Sequence, residues 1–158
     1  MVQVMRYTDY FDTSALVKRY LAEKGSSWVQ TRCNDPARII AVVEIGRVEM
    51  AAAFAGKLRG GFITEADYQK VRARLEADTR ERYHLIPVTS QRVDEAIELT
   101  AHYRLRGYDA VHLAAALCLN RALLDRELAP LTLIAADDDL LVAAQAEGLA
   151  AENPNLYP

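Results

Sequence analysis

Asp12, Glu49, Asp109 and Asp137 are the side chains of this chain whose type and placement could do chemistry. Asp12 follows the β-prone run YTDYF and precedes TSALVKRY, Asp109 opens DAVHLAAAL, and Asp137 closes LTLIAA ahead of DDLLVAAQA. Glu49 lies inside the helical stretch VVEIGRVEMAAAF. In an open α/β sheet, strand ends and helix starts converge on one crevice, so acids far apart in sequence can meet there. Four carboxylates gathered in one place repel unless a cation neutralises them. Oxygen ligands of this kind suit Mg²⁺ or Mn²⁺ rather than zinc, which favours His and Cys. A cation so held orients and deprotonates water and stabilises charge on a phosphate under attack, the chemistry of phosphodiester hydrolysis.

Each acid also has a purely structural reading. An aspartate at a helix N-cap accepts hydrogen bonds from free backbone N–H groups and suits the positive end of the dipole. Glu49 taken alone is a solvated helix residue. The combination shifts the balance. Thr13 and Ser14 can cap the helix after Asp12 unaided, Asp109 heads the most apolar helix, and the run before Asp137 is apolar enough for an interior strand. Glu49 has Ile45, Ala52 and Ala53 as same-face neighbours, a setting in which a carboxylate needs a partner.

The elements that position these acids alternate along the chain. Strands are expected at 7–11, 37–43, 84–88 and 131–136, with a final strand or tail near 149–152. Helices are expected over 13–23, 26–34, 43–58, from Thr64 to about residue 83, from Ser90 to a stop at Gly107, and from Asp109 to about Leu124. Thr64 with Asp67 forms a capping-box pattern, and Pro87 points to an edge strand or an early strand end. Val93, Ile97 and Ala101, continued by Arg104 or Leu105, trace the expected inner face of the helix from Ser90. Short strands alternating with helices indicate a parallel sheet covered on both faces. The expectation is one α/β domain over 1–158, its core about 6–152, with a central, mostly parallel sheet flanked by helices.

Bulk properties narrow the class. With 51% hydrophobic and 26% charged residues, the composition is that of a folded globular chain rather than a disordered one. No apolar run approaches a membrane span, and the N-terminal residues meet charge too early for a signal peptide, so a cytoplasmic location is expected. Cys33 and Cys118 lack any CxxC partner and read as inert thiols. The net charge of −3 argues against broad, non-specific nucleic-acid binding by charge alone. A local basic rim stays open, with Lys18-Arg19, Lys57-Arg59 and Arg104-Arg106 as its candidates, although each residue singly reads first as solvated surface.

The segments DTSALVKRY, RVEMAAAF, GYDAVHLAAAL and AADDDLL resemble the PIN domain, and within it the VapC-type toxins of bacterial and archaeal toxin–antitoxin pairs. The resemblance runs from about residue 6 to 152. It implies a Mg²⁺- or Mn²⁺-dependent endoribonuclease that cleaves a narrow set of RNAs, forms a homodimer and is blocked by a small cognate antitoxin protein. The family's acidic positions fall on Asp12, Glu49, Asp109 and Asp137, as catalytic residues and metal ligands. Ser14 matches a position that supports the first aspartate, and Asp139 is a candidate for an added metal-linked contact, whereas Asp138 reads as a solvated cap residue. Glu44 rivals Glu49, although RVEMAAAF rather than VVEIGR lines up with the family pattern. One departure stands out: the family often has Thr or Ser two residues before the last aspartate, and here that residue is Ala135.

His112 lies one helical turn after Asp109 and reads as a buried, hydrogen-bonded histidine ahead of a general base; His84 and His102 are given no role. Tyr20, Leu21, Met50 and Phe54 are core residues first and partner-groove candidates second. Two other functions fit the same residues: a PIN-type RNA-processing nuclease without a toxin role, and a catalytically silent α/β binding module whose acids are caps. A receiver-like phospho-acceptor domain fits poorly, because no lysine follows Lys70.

Overall fold

Neighbouring strand residues point to opposite faces of a sheet, and this chain fills both faces with apolar side chains. Tyr10, Ala41, Val43, Leu131, Leu133 and Ala135 belong to one buried cluster. Their neighbours Phe11, Ile40, Val42 and Ile134 belong to a second. A sheet apolar on both sides needs helices on both sides, which is what parallel strands joined by helical crossovers supply.

A computed structural model describes residues 5–158. Five strands, β1 (Tyr7–Phe11), β2 (Arg38–Val43), β3 (Tyr83–Ile86), β4 (Thr132–Ile134) and β5 (Ala150–Glu152), form one sheet in the order β3-β2-β1-β4-β5. Every neighbouring pair is parallel, so the sheet is wholly rather than mostly parallel. The helices are α1 (Thr13–Leu16), α2 (Ser26–Asn34), α3 (Gly46–Arg59), α4 (Glu65–Glu81), α5 (Ser90–His102), α6 (Gly107–Asp125) and α7 (Asp138–Ala146). Residues of α5, α6 and α7 pack on the Tyr10 side, and residues of α1, α2, α3 and α4 on the Phe11 side. The expected α/β architecture is the observed one.

Local signals behave as their chemistry requires. Thr64 and Asp67 close a reciprocal capping box on α4. β3 is an edge strand and stops at Ile86, before the proline that could not donate to a ladder. Gly25 adopts φ +85°, and a Cβ there would stand 2.3 Å from the Pro154 carbonyl oxygen, so the C-terminal segment closes onto a position only glycine can fill.

Three expectations need correction. The helix expected over 13–23 is one α-helical turn, α1, followed by a 3₁₀ turn at Val17–Arg19. Lys18 and Arg19 are buried there, ion-paired to Glu23 and Asp78, so neither belongs to a basic rim. On α5 the inner face is Arg92, Ala96 and Leu99, while Val93, Ile97 and Ala101 are exposed. Arg92 lies buried and ion-paired to Glu95 at 3.0 Å, a pairing that a count of apolar residues does not reveal.

Candidate active site

From β1 the chain steps to β2 and β3 on one side, then returns to β4 on the other side of β1. Where strand order reverses in this way, the crossovers diverge and leave a crevice beyond the strand carboxyl ends. Asp12 is the first residue past β1, and Asp137 lies three past β4. The Asp12 N–H donates to the Ile134 carbonyl at 3.1 Å, tying the two strand ends together.

Both structural and chemical readings of the aspartates bear on the same atoms. Asp12 caps α1, its Oδ1 accepting from the Ala15 N–H at 3.2 Å. Asp137 caps α7, its Oδ1 accepting from the Leu140 N–H at 2.9 Å. Asp109 lies in the first turn of α6, and its Oδ2 accepts from the Arg106 N–H at 3.3 Å. Each cap occupies one carboxylate oxygen. Ser14 Oγ lies 2.7 and 2.9 Å from the two Asp12 oxygens and accepts from the Ala136 N–H at 2.9 Å. A hydroxyl therefore stands beside the segment leading to Asp137 although residue 135 is alanine.

These acids lack a sufficient counter-charge. Burial pushes the Asp12 carboxyl up to about 6, and the Asp109 charge adds to that rise against opposing effects of His112, Ser14 and the Ala15 N–H. Burial, then the charge of Asp137, raises Asp109 as well. Arg106 is the cation at hand, 3.7 Å from Asp109 and 3.9 Å from Asp137, but its side chain is 87% exposed and so well screened by water.

Glu49, in the first turn of α3, joins this group through a different set of contacts. Its Oε1 accepts from Thr13 Oγ1 at 3.1 Å and from His112 Nε2 at 2.8 Å. Glu44 is exposed and faces Arg47 at 4.0 Å instead. Asp139 is exposed, 3.9 Å from the Arg104 guanidinium, and Asp138 approaches the Asn153 amide at 3.4 Å. Arg104 and Arg106 thus form an exposed basic lip beside the acids, whereas Lys57 pairs with Glu23 at 3.8 Å. His112 is the buried, hydrogen-bonded histidine its position suggested, and it links Glu49 to Tyr10. Its one signal in the sequence is the spacing of three from Asp109.

Among the described residues, no three His, Cys, Asp or Glu side chains are arranged as a ready-made coordination shell. The donor chemistry nonetheless fits a hard divalent cation. The acids are carboxylates, Asp12 is buried and Asp109 partly so, and the charge of each of these two is disfavoured by a neighbouring aspartate. The groove considered for Tyr20, Leu21, Met50 and Phe54 is absent: the last three are buried, and the Tyr20 hydroxyl donates to Asp78 at 2.7 Å. Exposed apolar surface lies instead between α5 and the start of α6, where Val93, Ile97 and Tyr108 border Arg106. Among the described residues no helix is long and apolar enough to cross a membrane.

No protein-family model matches the chain, and no curated protein matches it. Solved structures do. PAE2754 from Pyrobaculum aerophilum is 16% identical with a TM-score of 0.64, over 97% of this chain and 86% of that one. VapBC2 from Rickettsia felis, bound to a DNA fragment from its promoter, is 12% identical with a TM-score of 0.59, over 92% of this chain and 98% of that one. A toxin–antitoxin complex from Klebsiella pneumoniae contains a chain 20% identical with a TM-score of 0.55, over 92% and 97% respectively. At these identities the likeness is one of fold, and it extends over nearly the whole chain.

Proposed function

We propose that this chain is a Mg²⁺- or Mn²⁺-dependent endoribonuclease, the toxin of a toxin–antitoxin pair, cutting a narrow set of RNAs. The observation that carries this reading is the convergence of Asp12, Asp109 and Asp137 on the β1/β4 crevice, with burial and mutual repulsion that His112 and Arg106 offset only in part. Asp12, Asp109 and Asp137 would hold the metal, with Glu49 beside them. Bound there, the ion supplies charge neutralisation and water activation. Ser14 fixes the Asp12 carboxylate, and the caps on α1 and α7 fix the backbone that carries Asp12 and Asp137. Arg104 and Arg106 stand where an RNA phosphate would approach and give the anionic strand a local attraction that the net charge does not.

The partner follows from the fold's relatives, whose structures include a complex named as toxin and antitoxin. A small protein seated over the crevice would cover the acids and the basic lip together. A homodimer and a cytoplasmic location belong to the same proposal, and an RNA-processing role without an antitoxin is its nearest variant. The test is cleavage of total cellular RNA with Mn²⁺ or Mg²⁺, the new 5′ ends mapped by sequencing, for wild type, Asp12→Asn and Asp109→Asn with a chelator control. A few discrete cuts, abolished by chelator and by both substitutions, are expected. Folded proteins that cut nothing and bind no Mn²⁺ would leave a binding module.

A further inference from the structure

His112 is almost completely buried, 3% exposed at its side chain, and both ring nitrogens are engaged. Nε2 lies 2.8 Å from Glu49 Oε1, and Nδ1 lies 2.8 Å from the Tyr10 hydroxyl. Tyr10 is fully buried and meets the imidazole edge-on, with ring centroids 5.9 Å apart. The order of donors along this chain is set by chemistry. An ionised carboxylate only accepts, so Nε2 carries the hydrogen it shares with Glu49. Nδ1 faces the Tyr10 hydroxyl, which donates to a neutral ring and accepts from an imidazolium, so either form leaves the Nε2–H on Glu49. Burial, with the charges of Asp12 and Glu49 added, keeps that phenol protonated well above its ordinary range.

The consequence falls on Glu49. Thr13 and His112 both donate to Oε1, and among the described residues Oε2 has no protein hydrogen bond. Glu49 is thereby clamped by one oxygen, with the other left for a ligand. Thr13 comes from the helix start beside Asp12, and His112 from the face of α6 one turn past Asp109. The clamp therefore ties α3 to the two elements that carry the aspartates.

We propose that His112 is a positioning residue of the acidic site, its Nε2–H aimed by the Glu49 carboxylate and its ring steadied by Tyr10, and that it holds Glu49 so that only Oε2 is available for the reaction. This rests on the nuclease reading for its kinetic consequence but not for its geometry. Two measurements separate the two. Long-range ¹H–¹⁵N NMR of the histidine rings reads the tautomer without any substrate. A hydrogen on Nε2 of His112 is expected in wild type and is retained in Tyr10→Phe, because the Glu49 carboxylate requires it. A wild-type ring carrying hydrogen on Nδ1 alone would overturn the proposal.

Single-turnover RNA cleavage then compares His112→Leu, His112→Gln and His112→Asn, each checked for folding by thermal melting. Loss of an outer partner of a metal-site ligand costs about 10–100-fold, so His112→Leu should lower kcat by that factor with KM little changed. Glutamine places an amide N–H near the Nε2 position and should recover most of the loss, whereas asparagine reaches only the Nδ1 position and should not. Equal rates for the Gln and Asn proteins, or a wild-type rate for the Leu protein, would remove His112 from this role. Wild type that cuts no RNA while showing the Nε2 hydrogen would instead sink the nuclease reading and leave the clamp in place.

Discussion

Two buried aspartates, Asp9 and Asp12, lie three residues apart along β1 and its exit, and the fold treats them in opposite ways. Asp9 is met by two arginines. Arg32 forks onto both its oxygens at 2.7 and 3.0 Å, and Arg38 approaches at 3.1 and 3.2 Å. Arg32 lies against Trp28, and Trp28 stacks on Tyr157. Asp12 receives hydroxyl and backbone donors but no guanidinium, and its carboxyl rises to about 6. A buried acid with its cation supplied by the chain is finished as structure. One held by neutral donors beside other acids still has charge to be neutralised, which is why the chemistry is assigned to the far end of the strand.

The sharpest way to break this comparison is to remove the finished acid. Asp9→Asn leaves two partly buried guanidinium groups facing a neutral amide, and breaking a buried ion pair from one side costs about 3–5 kcal/mol. Urea unfolding of this variant should show a loss of that size, insensitive to added Mn²⁺. A loss below about 1 kcal/mol would mean that Asp9 is no more tied into the fold than a surface acid.

The same substitution at residue 12 should act with the opposite sign. The Asp12 carboxyl is raised in the folded state from its ordinary 3.8 to about 6, so the fold favours the protonated form. The stability this lends is fully present below about pH 4 and is lost as pH climbs through about 6. A rise of that size corresponds to about 3 kcal/mol at most. Metal-free Asp12→Asn should therefore match wild type near pH 4 and exceed it in melting temperature at pH 7. A variant less stable than wild type at pH 7 would show that the capping bonds to Ser14 and Ala15 outweigh the buried charge.

How much of this contrast could be read from the residues alone depends on how far apart the partners lie in sequence. The strands are legible because apolar runs such as RIIAVV and TLI are bounded by turn residues, and DTS exposes the Ser14 support because it is local. The paired state of Asp9 is not legible, since its arginines lie 23 and 29 residues away. Arg19 looks like surface charge until Asp78 arrives from α4 to pair with it. Val93 and Ile97 are apolar at helical spacing, yet they face solvent while Arg92, ion-paired to Glu95, lies buried. His112 is the same case at the site, its partners Tyr10 and Glu49 lying 102 and 63 residues away.

A divalent cation should sharpen the difference between the two acids. If Asp12 with Asp109 and Asp137 takes Mn²⁺, the folded state gains about 2.7 kcal/mol at a hundred times the dissociation constant. Thermal melts at pH 7 should show that increment in wild type and lose it in Asp12→Asn. An undiminished Mn²⁺ response in Asp12→Asn would move the cation away from this crevice.

The smallest effect tests the finished end again. Tyr157 lies over Trp28 with ring centroids 4.7 Å apart and planes 3° from parallel, and Arg32 covers Trp28 at 4.9 Å. Removing one partner of such a stack costs roughly 0.5–1.5 kcal/mol beyond its buried area. Tyr157→Ala should lower the melting temperature slightly and leave RNA cleavage and the Mn²⁺ increment at wild-type values. The stack braces the arginine that neutralises Asp9, and under the proposed function the Asp9 end takes no part in handling substrate. A Tyr157→Ala protein that lost cleavage while keeping its fold would show that the two ends of β1 are coupled, and the division of labour between Asp9 and Asp12 would have to be abandoned.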